Sequence, residues 1–233
     1  PNFNKKSRQK SNIKFVIIHY TGMQSEIVSI NRLVNKNSKV SAHYFISKKG
    51  KIIQLVKENK VAWHAGKSKW KQFINLNKYS VGIELANKGH EFGYENFSKK
   101  QIKSLISLCL KLKKKYKLKH LDFLGHSDIA PLRKIDPGEK FPWKRLSKFK
   151  IGSWYGDLNT KIFNLRKKEL KKVFFSNLYR IGYRHFSVNK RGKNDKKIIK
   201  AFQRHYLPKK ITGKIDQKTL NISHFLANEH IFS

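Results

Sequence analysis

Apolar and polar positions along the chain form two contrasting patterns in its first two thirds. Phe15-Val16-Ile17-Ile18 is a short continuous apolar run with β-branched members, which predicts a central strand buried on both faces. The run meets polar Thr21-Gly22 just after His19. Val81-Gly82-Ile83-Glu84-Leu85 reads as another buried strand, and Leu121–Gly125 as an apolar stretch that delivers His126 to a loop. Between the latter two, Ile102, Leu105, Ile106, Cys109, Leu112 and Tyr116 recur at helical spacing. Ser98, with Gln101 three residues on, marks the start of that amphipathic helix, and Cys109 falls on its core-facing stripe.

Beyond about residue 153 the pattern becomes wholly helical. Ile151-Gly152-Ser153-Trp154-Tyr155-Gly156-Asp157 reads as an exit from the first unit. Three short helices follow. The first carries Ile162, Leu165, Leu170, Val173, Phe174 and Leu178 and stops near Gly182; the second carries Ile198, Ile199, Phe202 and Tyr206; the third starts at Asp216, a good N-cap, and carries Leu220 and Phe225. The expected organisation is a unit at 1–153, a linker at 154–160 and a three-helix unit at 161–233.

The candidate chemistry sits at the ends of the predicted strands. His19 is held by one strand, His126 follows another, and Asp136 precedes Pro137-Gly138, a turn dipeptide that fixes the backbone after the carboxylate. Two neutral imidazoles and one carboxylate leave zinc one open tetrahedral position for water, as hydrolytic zinc sites require. A single histidine at a strand end is more often a hydrogen-bonded core residue. Three residues of ligand type in matching contexts reverse that reading. A closed structural site would use thiolates, and Cys109 is the one cysteine.

Six motifs, in order, resemble the type 2 N-acetylmuramoyl-L-alanine amidases, zinc hydrolases related to bacteriophage amidases and peptidoglycan-recognition proteins. They are Val16–Thr21, Ser41–Ile46, Ala62–Gly66, Val81–Asn87, Gly125–Pro131, and Lys134–Gly138 with Phe141-Pro142-Trp143. The resemblance implies an α/β fold with a mixed central β-sheet flanked by helices, and one zinc ion per chain held by His19, His126 and Asp136. It also implies Glu84 as general base and Lys134 as stabiliser of the transition state. The residues suit those roles: a carboxylate inside a buried strand needs a partner or a purpose, and Lys134 lies two positions before Asp136, on the same face if that stretch is extended. His43, Tyr44, Trp63, His64, Ala65 and Asn87 lie in motifs that recur near the family's substrate groove, with His43 or His64 as an alternative ligand. His90, His120, His185, His205, His224 and His230 have no such setting.

The helical segment resembles the three-helix peptidoglycan-binding domain in Ile181-Gly182-Tyr183, Ala201–Tyr206 and Gly213–Thr219. If it anchors the enzyme on the wall, cutting the chain near Asp157 leaves hydrolysis of soluble muropeptides nearly intact. A bland three-helix appendage that only packs on the first unit is the competing reading.

Composition adds bounds. The chain has 233 residues, 39% of them hydrophobic, and its longest apolar runs are too short to cross a membrane. Its net charge of +39 raises nucleic-acid binding as an alternative class, yet the excess is mostly Lys spread along the chain and no nucleic-acid module is recognisable. The implied partners are peptidoglycan or muropeptides, cut between muramic or anhydro-muramic acid and L-alanine by a monomeric enzyme. The envelope is the favoured location, with a cytoplasmic recycling role and a non-catalytic recognition protein as alternatives.

Overall fold

The computed structural model describes residues 2–4, 7–158 and 166–229. Its centre is a five-stranded mixed sheet in the order β4-β3-β8-β2-β9, built from β2 (Phe15–Tyr20), β3 (Tyr44–Ile46), β4 (Ile52–Gln54), β8 (Ser80–Leu85) and β9 (Phe123–Gly125). β2, β3, β8 and β9 run parallel to their neighbours, and β4 closes one edge antiparallel to β3. Two short antiparallel pairs lie outside it: β1 (Phe3–Asn4) with β5 (Val61–Ala62), and β6 (Lys69–Trp70) with β7 (Phe73–Ile74).

The buried-strand reading of residues 15–18 and 81–85 holds because β2 and β8 are the two inner partners of the parallel set, in register from Phe15↔Ser80 to Tyr20↔Leu85. Each therefore needs apolar side chains on both faces. Alternation puts Val16, Ile18, Val81, Ile83 and Leu85 on one face, where they pack under α2 (Lys99–Tyr116). Helix α2 buries Ile102, Leu105, Ile106, Leu108, Cys109 and Leu112, following the sequence stripe. Ser98 caps it by accepting from the Gln101 N–H at 3.0 Å. The Gln101 side chain does not complete a capping box: it turns inward and donates to the carbonyls of Ile46 and Ala86, tying the helix to two strands.

The other face carries Phe15, Ile17 and His19 beside Ser80, Gly82 and Glu84. Helix α1 (Glu26–Val34), capped by Ser25, covers part of it, with Leu33, Ala42, Phe45 and Ala86 in one small core. Two short helices, α3 (His126–Ile129) and α4 (Trp143–Ser147), follow β9.

Helices α5 (Lys167–Ile181), α6 (Asp195–Tyr206) and α7 (Gln217–Glu229) correspond to the three expected from the sequence. Ile162 and Leu165 lie outside the described residues. Asp216 caps α7 by accepting from the Thr219 N–H at 2.8 Å. The buried positions of α7 include Leu220, Ile222 and Leu226, whereas Phe225, expected in the core, is 36% exposed.

The apolar residues these helices bury against one another are continuous with those of the sheet region. Phe174, Phe175, Leu178, Ile198, Phe202 and Leu220 belong to one apolar cluster with Phe15, Ile17, Trp70, Leu124 and Ile129. At the C-terminus of α5, Gly182 (φ +134°) sits so close to Trp70 that a Cβ there would lie 2.5 Å from the indole. The Lys71 N–H donates to its carbonyl at 2.8 Å.

Candidate active site

The C-terminal ends of β2, β8 and β9 open on one side of the sheet, the side where parallel α/β sheets place ligands. His19 is the penultimate residue of β2, Glu84 stands opposite it in register on β8, and His126 follows β9 directly. Asp136 reaches the same place from the loop after α3, where the Asp136–Pro137 peptide is cis and the Ser127 N–H donates to the Asp136 carbonyl at 2.9 Å.

His19 Nδ1, His126 Nδ1 and Asp136 Oδ2 converge, 3.0 Å between the two nitrogens and 3.0 and 3.1 Å from each nitrogen to the oxygen. The neighbours fix which ring nitrogens carry protons. His126 Nε2 faces the carbonyl of Ala65 at 3.1 Å, nearer than the Arg133 guanidinium at 3.3 Å; donating to that carbonyl leaves Nδ1 as a lone pair turned toward the cluster.

A longer relay does the same for His19. The Ser80 hydroxyl donates to the Leu76 carbonyl (2.6 Å) and so accepts from His64 Nε2 (3.2 Å); His64 Nδ1 then accepts from His19 Nε2 (3.0 Å). With those tautomers three buried acceptors face one another, a cluster that could hold a metal ion. Two nitrogens and a carboxylate oxygen match zinc's ligand preferences, and the donor set fits that ion.

The electrostatics agree. Burial, then the neighbouring His126, lowers the His19 imidazole to about 4, keeping it neutral and ligand-competent at neutral pH. For Asp136 two influences oppose each other: burial raises the carboxyl, whereas His126 and then His19, when protonated, would lower it well below its ordinary value. Glu84 goes the opposite way: burial, reinforced by Asp136, pushes it well above the usual carboxylate range. Its Oε2 is buried without a hydrogen-bond partner among the described residues.

His19, Glu84, His126 and Asp136 line a cavity of about 1400 Å³, with Lys134 and the exposed Arg133 beside them. Trp63 and His64 also line it, as the sequence suggested. Four other candidates do not. His43 is fully buried, accepts from the Gly82 N–H at Nδ1 and faces the Lys60 carbonyl through Nε2, so it braces β8. Tyr44 points to the opposite face of the sheet and donates to Glu58 in a separate small pocket. Ala65 is fully buried and contributes only its carbonyl. Asn87 pins the loops after β2 and β8, accepting from the Gly89 N–H and donating to the Glu95 carbonyl.

Several positions that line the cavity escaped the sequence reading. Arg133 crosses to the carbonyls of Ala65 and Lys67 at the cavity wall. Asn77 Oδ1 accepts from the backbone N–H groups of His64 and Ala65 and fixes the loop that carries His64. His90, expected to be unremarkable, lines the cavity, bonded to the Tyr20 hydroxyl and Glu139 and stacked on Tyr94. None has a local signal beyond residue type, since each acts through a partner far along the chain.

Comparison with known proteins fits this geometry. The family model for N-acetylmuramoyl-L-alanine amidase matches residues 9–139. The chain is 32% identical to N-acetylmuramoyl-L-alanine amidase AmiD of Escherichia coli, over 94% of this chain and 83% of that protein. It is 40% identical to 1,6-anhydro-N-acetylmuramyl-L-alanine amidase AmpD of Haemophilus influenzae, over 46% of this chain and 56% of that protein. The solved complex of Escherichia coli AmiD with the substrate anhydro-N-acetylmuramic acid-L-Ala-D-gamma-Glu-L-Lys superposes with a TM-score of 0.82 at 31% identity, covering 97% of this chain and 91% of that one.

Proposed function

The chain belongs to the N-acetylmuramoyl-L-alanine amidase family, and from that premise we propose that it is a zinc-dependent hydrolase of the bond between the muramic acid lactyl group and L-alanine, anhydro-muropeptides included. The observation that carries the reading is the inward-facing triad of His19, His126 and Asp136, with Glu84, whose Oε2 has no hydrogen-bond partner among the described residues, in the same cavity.

His19 Nδ1, His126 Nδ1 and Asp136 Oδ2 would hold the ion. Zinc, when bound, acts as a Lewis acid and lowers the pKa of its water to about 7. Glu84 takes a proton from the attacking water and returns it to the departing amine of L-alanine, a role suited to a carboxyl whose proton affinity burial has raised well above the usual carboxylate range. Lys134 brings an ammonium to the cavity, where it stabilises charge developing on the substrate carbonyl oxygen. Arg133 and Lys134 also give the cavity wall a positive character that suits the carboxylates of a stem peptide.

Among the described residues no helix is long and apolar enough to cross a membrane. The bacterial envelope is our proposed site of action and a monomer our proposed state. They are supported by the strongly basic chain, suited to an anionic wall polymer, and by the completeness of the site within one chain.

The test is digestion of intact sacculi and anhydro-muropeptides in parallel, with mass analysis of products and metal analysis of the protein. Release of free stem peptides by a protein holding one zinc, abolished by chelation and by His126→Ala, is the expected outcome. Full turnover by a zinc-free preparation refutes the metal-hydrolase reading.

A further inference from the structure

Asp128 lies two residues after His126, in the same helical turn, and is 1% exposed. A buried carboxylate is costly unless it is fully hydrogen-bonded. This one accepts three bonds: Oδ2 from the Gly125 N–H at 2.8 Å and from His205 Nδ1 at 2.8 Å, and Oδ1 from the Tyr183 hydroxyl at 2.6 Å. Two of the three donors come from the C-terminal helical segment.

Both donors are held firmly. Tyr183 has no exposed surface and packs edge-on against Trp70, with ring centroids 4.9 Å apart. The His205 ring is sandwiched between Trp143, 4.1 Å away and 15° from parallel, and Tyr206, 4.0 Å away and 12° from parallel. A third contact closes the grip, as His185 Nε2 donates to the Ile129 carbonyl at 3.0 Å.

The gripped turn spans residues 125–129, and it carries His126. Through the Ser127 N–H it also bonds the backbone of Asp136. We propose that the C-terminal helical segment is a positioning element of the metal centre. Tyr183 and His205, acting on Asp128, hold the His126 turn so that Nδ1 faces His19 and Asp136 before the ion arrives. Neither residue lines the cavity; each acts through Asp128, as outer partners of metal ligands do elsewhere. The inference rests on the zinc reading given above, but the conformation of the turn can be measured without zinc.

The test uses the full chain and the variants Tyr183→Phe, His205→Phe and their combination, which keep rings in place and delete the donors. Zinc affinity is measured by competition with a chromophoric chelator, and amide hydrogen exchange at residues 125–130 is followed in the metal-free protein. The double variant is expected to lose roughly 10–100-fold in zinc affinity, the range seen when outer partners of metal ligands are removed. Exchange at 125–130 should quicken by about tenfold or more while β2 and α2 keep their protection. A merely stabilising role predicts a lower melting temperature with unchanged zinc affinity and unchanged local exchange, and that result overturns the proposal.

If the double variant does not fold, Tyr183→Phe decides, because it removes one oxygen and no packing: wild-type affinity and exchange in that variant overturn the proposal. If the wild-type chain holds no zinc, the functional reading fails, and the exchange comparison still decides whether Tyr183 and His205 fix the turn.

Discussion

At the scale of single residues, Glu84 carries a conflict between stability and function. Burial raises its pKa, so the neutral carboxyl is the form the metal-free fold prefers. Its stabilising contribution is full below the unfolded value near 4.5 and is lost as pH rises through the higher folded value. Glu84→Gln mimics the neutral form. With zinc chelated, the variant is expected to melt at a higher temperature than wild type above the folded pKa of Glu84, with the gain vanishing below about pH 4. A gain of equal size at low pH would show a packing effect instead. Loaded with zinc, the same variant should keep its metal and lose turnover by about a hundredfold or more, since it cannot accept the proton. His19, His126, Asp136 and Glu84 were legible as candidates because each sits at the end of an apolar run or before a rigid turn. The proton assignments were not, because they depend on Ser80, Leu76 and the Ala65 carbonyl, which only the folded chain brings near.

At the scale of elements, β8 shows why a glycine stands inside a central strand. A Cβ on Gly82 would lie 2.3 Å from Cγ of His64, so the strand leaves room for the imidazole that orients His19. Gly82→Ala is therefore expected to push His64 off the relay. Stability should fall by about 1–3 kcal/mol, the usual cost of overpacking, and zinc affinity should fall with it. Calorimetry with zinc titration checks both, and an undisturbed affinity would show that the relay is dispensable. The apolar run around Gly82 was enough to identify the strand. The reason for the glycine was not legible, because the ring it admits comes from a loop sixteen to eighteen residues earlier. The same limit explains Tyr44: its motif was legible, but alternation along β3 sends its side chain to the face away from the cavity.

At the scale of the whole molecule, the boundary read near residue 153 is a change of pattern and not a break in the core. The amphipathic stripes of α5, α6 and α7 were legible as periodicities, but periodicity does not say what a stripe packs against. Here the partners are Phe15, Ile17, Trp70, Leu124 and Ile129 of the amidase segment. Cutting after Asp157 would strip that face bare and remove Tyr183 and His205, so the truncated chain is expected to aggregate or to bind zinc poorly, in contrast to the wall-anchor expectation of intact soluble hydrolysis. Light scattering and hydrolysis of a small anhydro-muropeptide check this; a monomeric, fully active fragment would restore the anchor view. Cys109 offers a last consequence of this architecture. It is sealed against the sheet on the inner stripe of α2, with no exposed surface and a thiol that burial pushes well above its ordinary range. It is the chain's sole sulfhydryl, so it can neither pair internally nor poach the ion from its nitrogen and oxygen ligands while the fold is closed. Its alkylation then becomes a clock that runs only when the sheet and α2 part company.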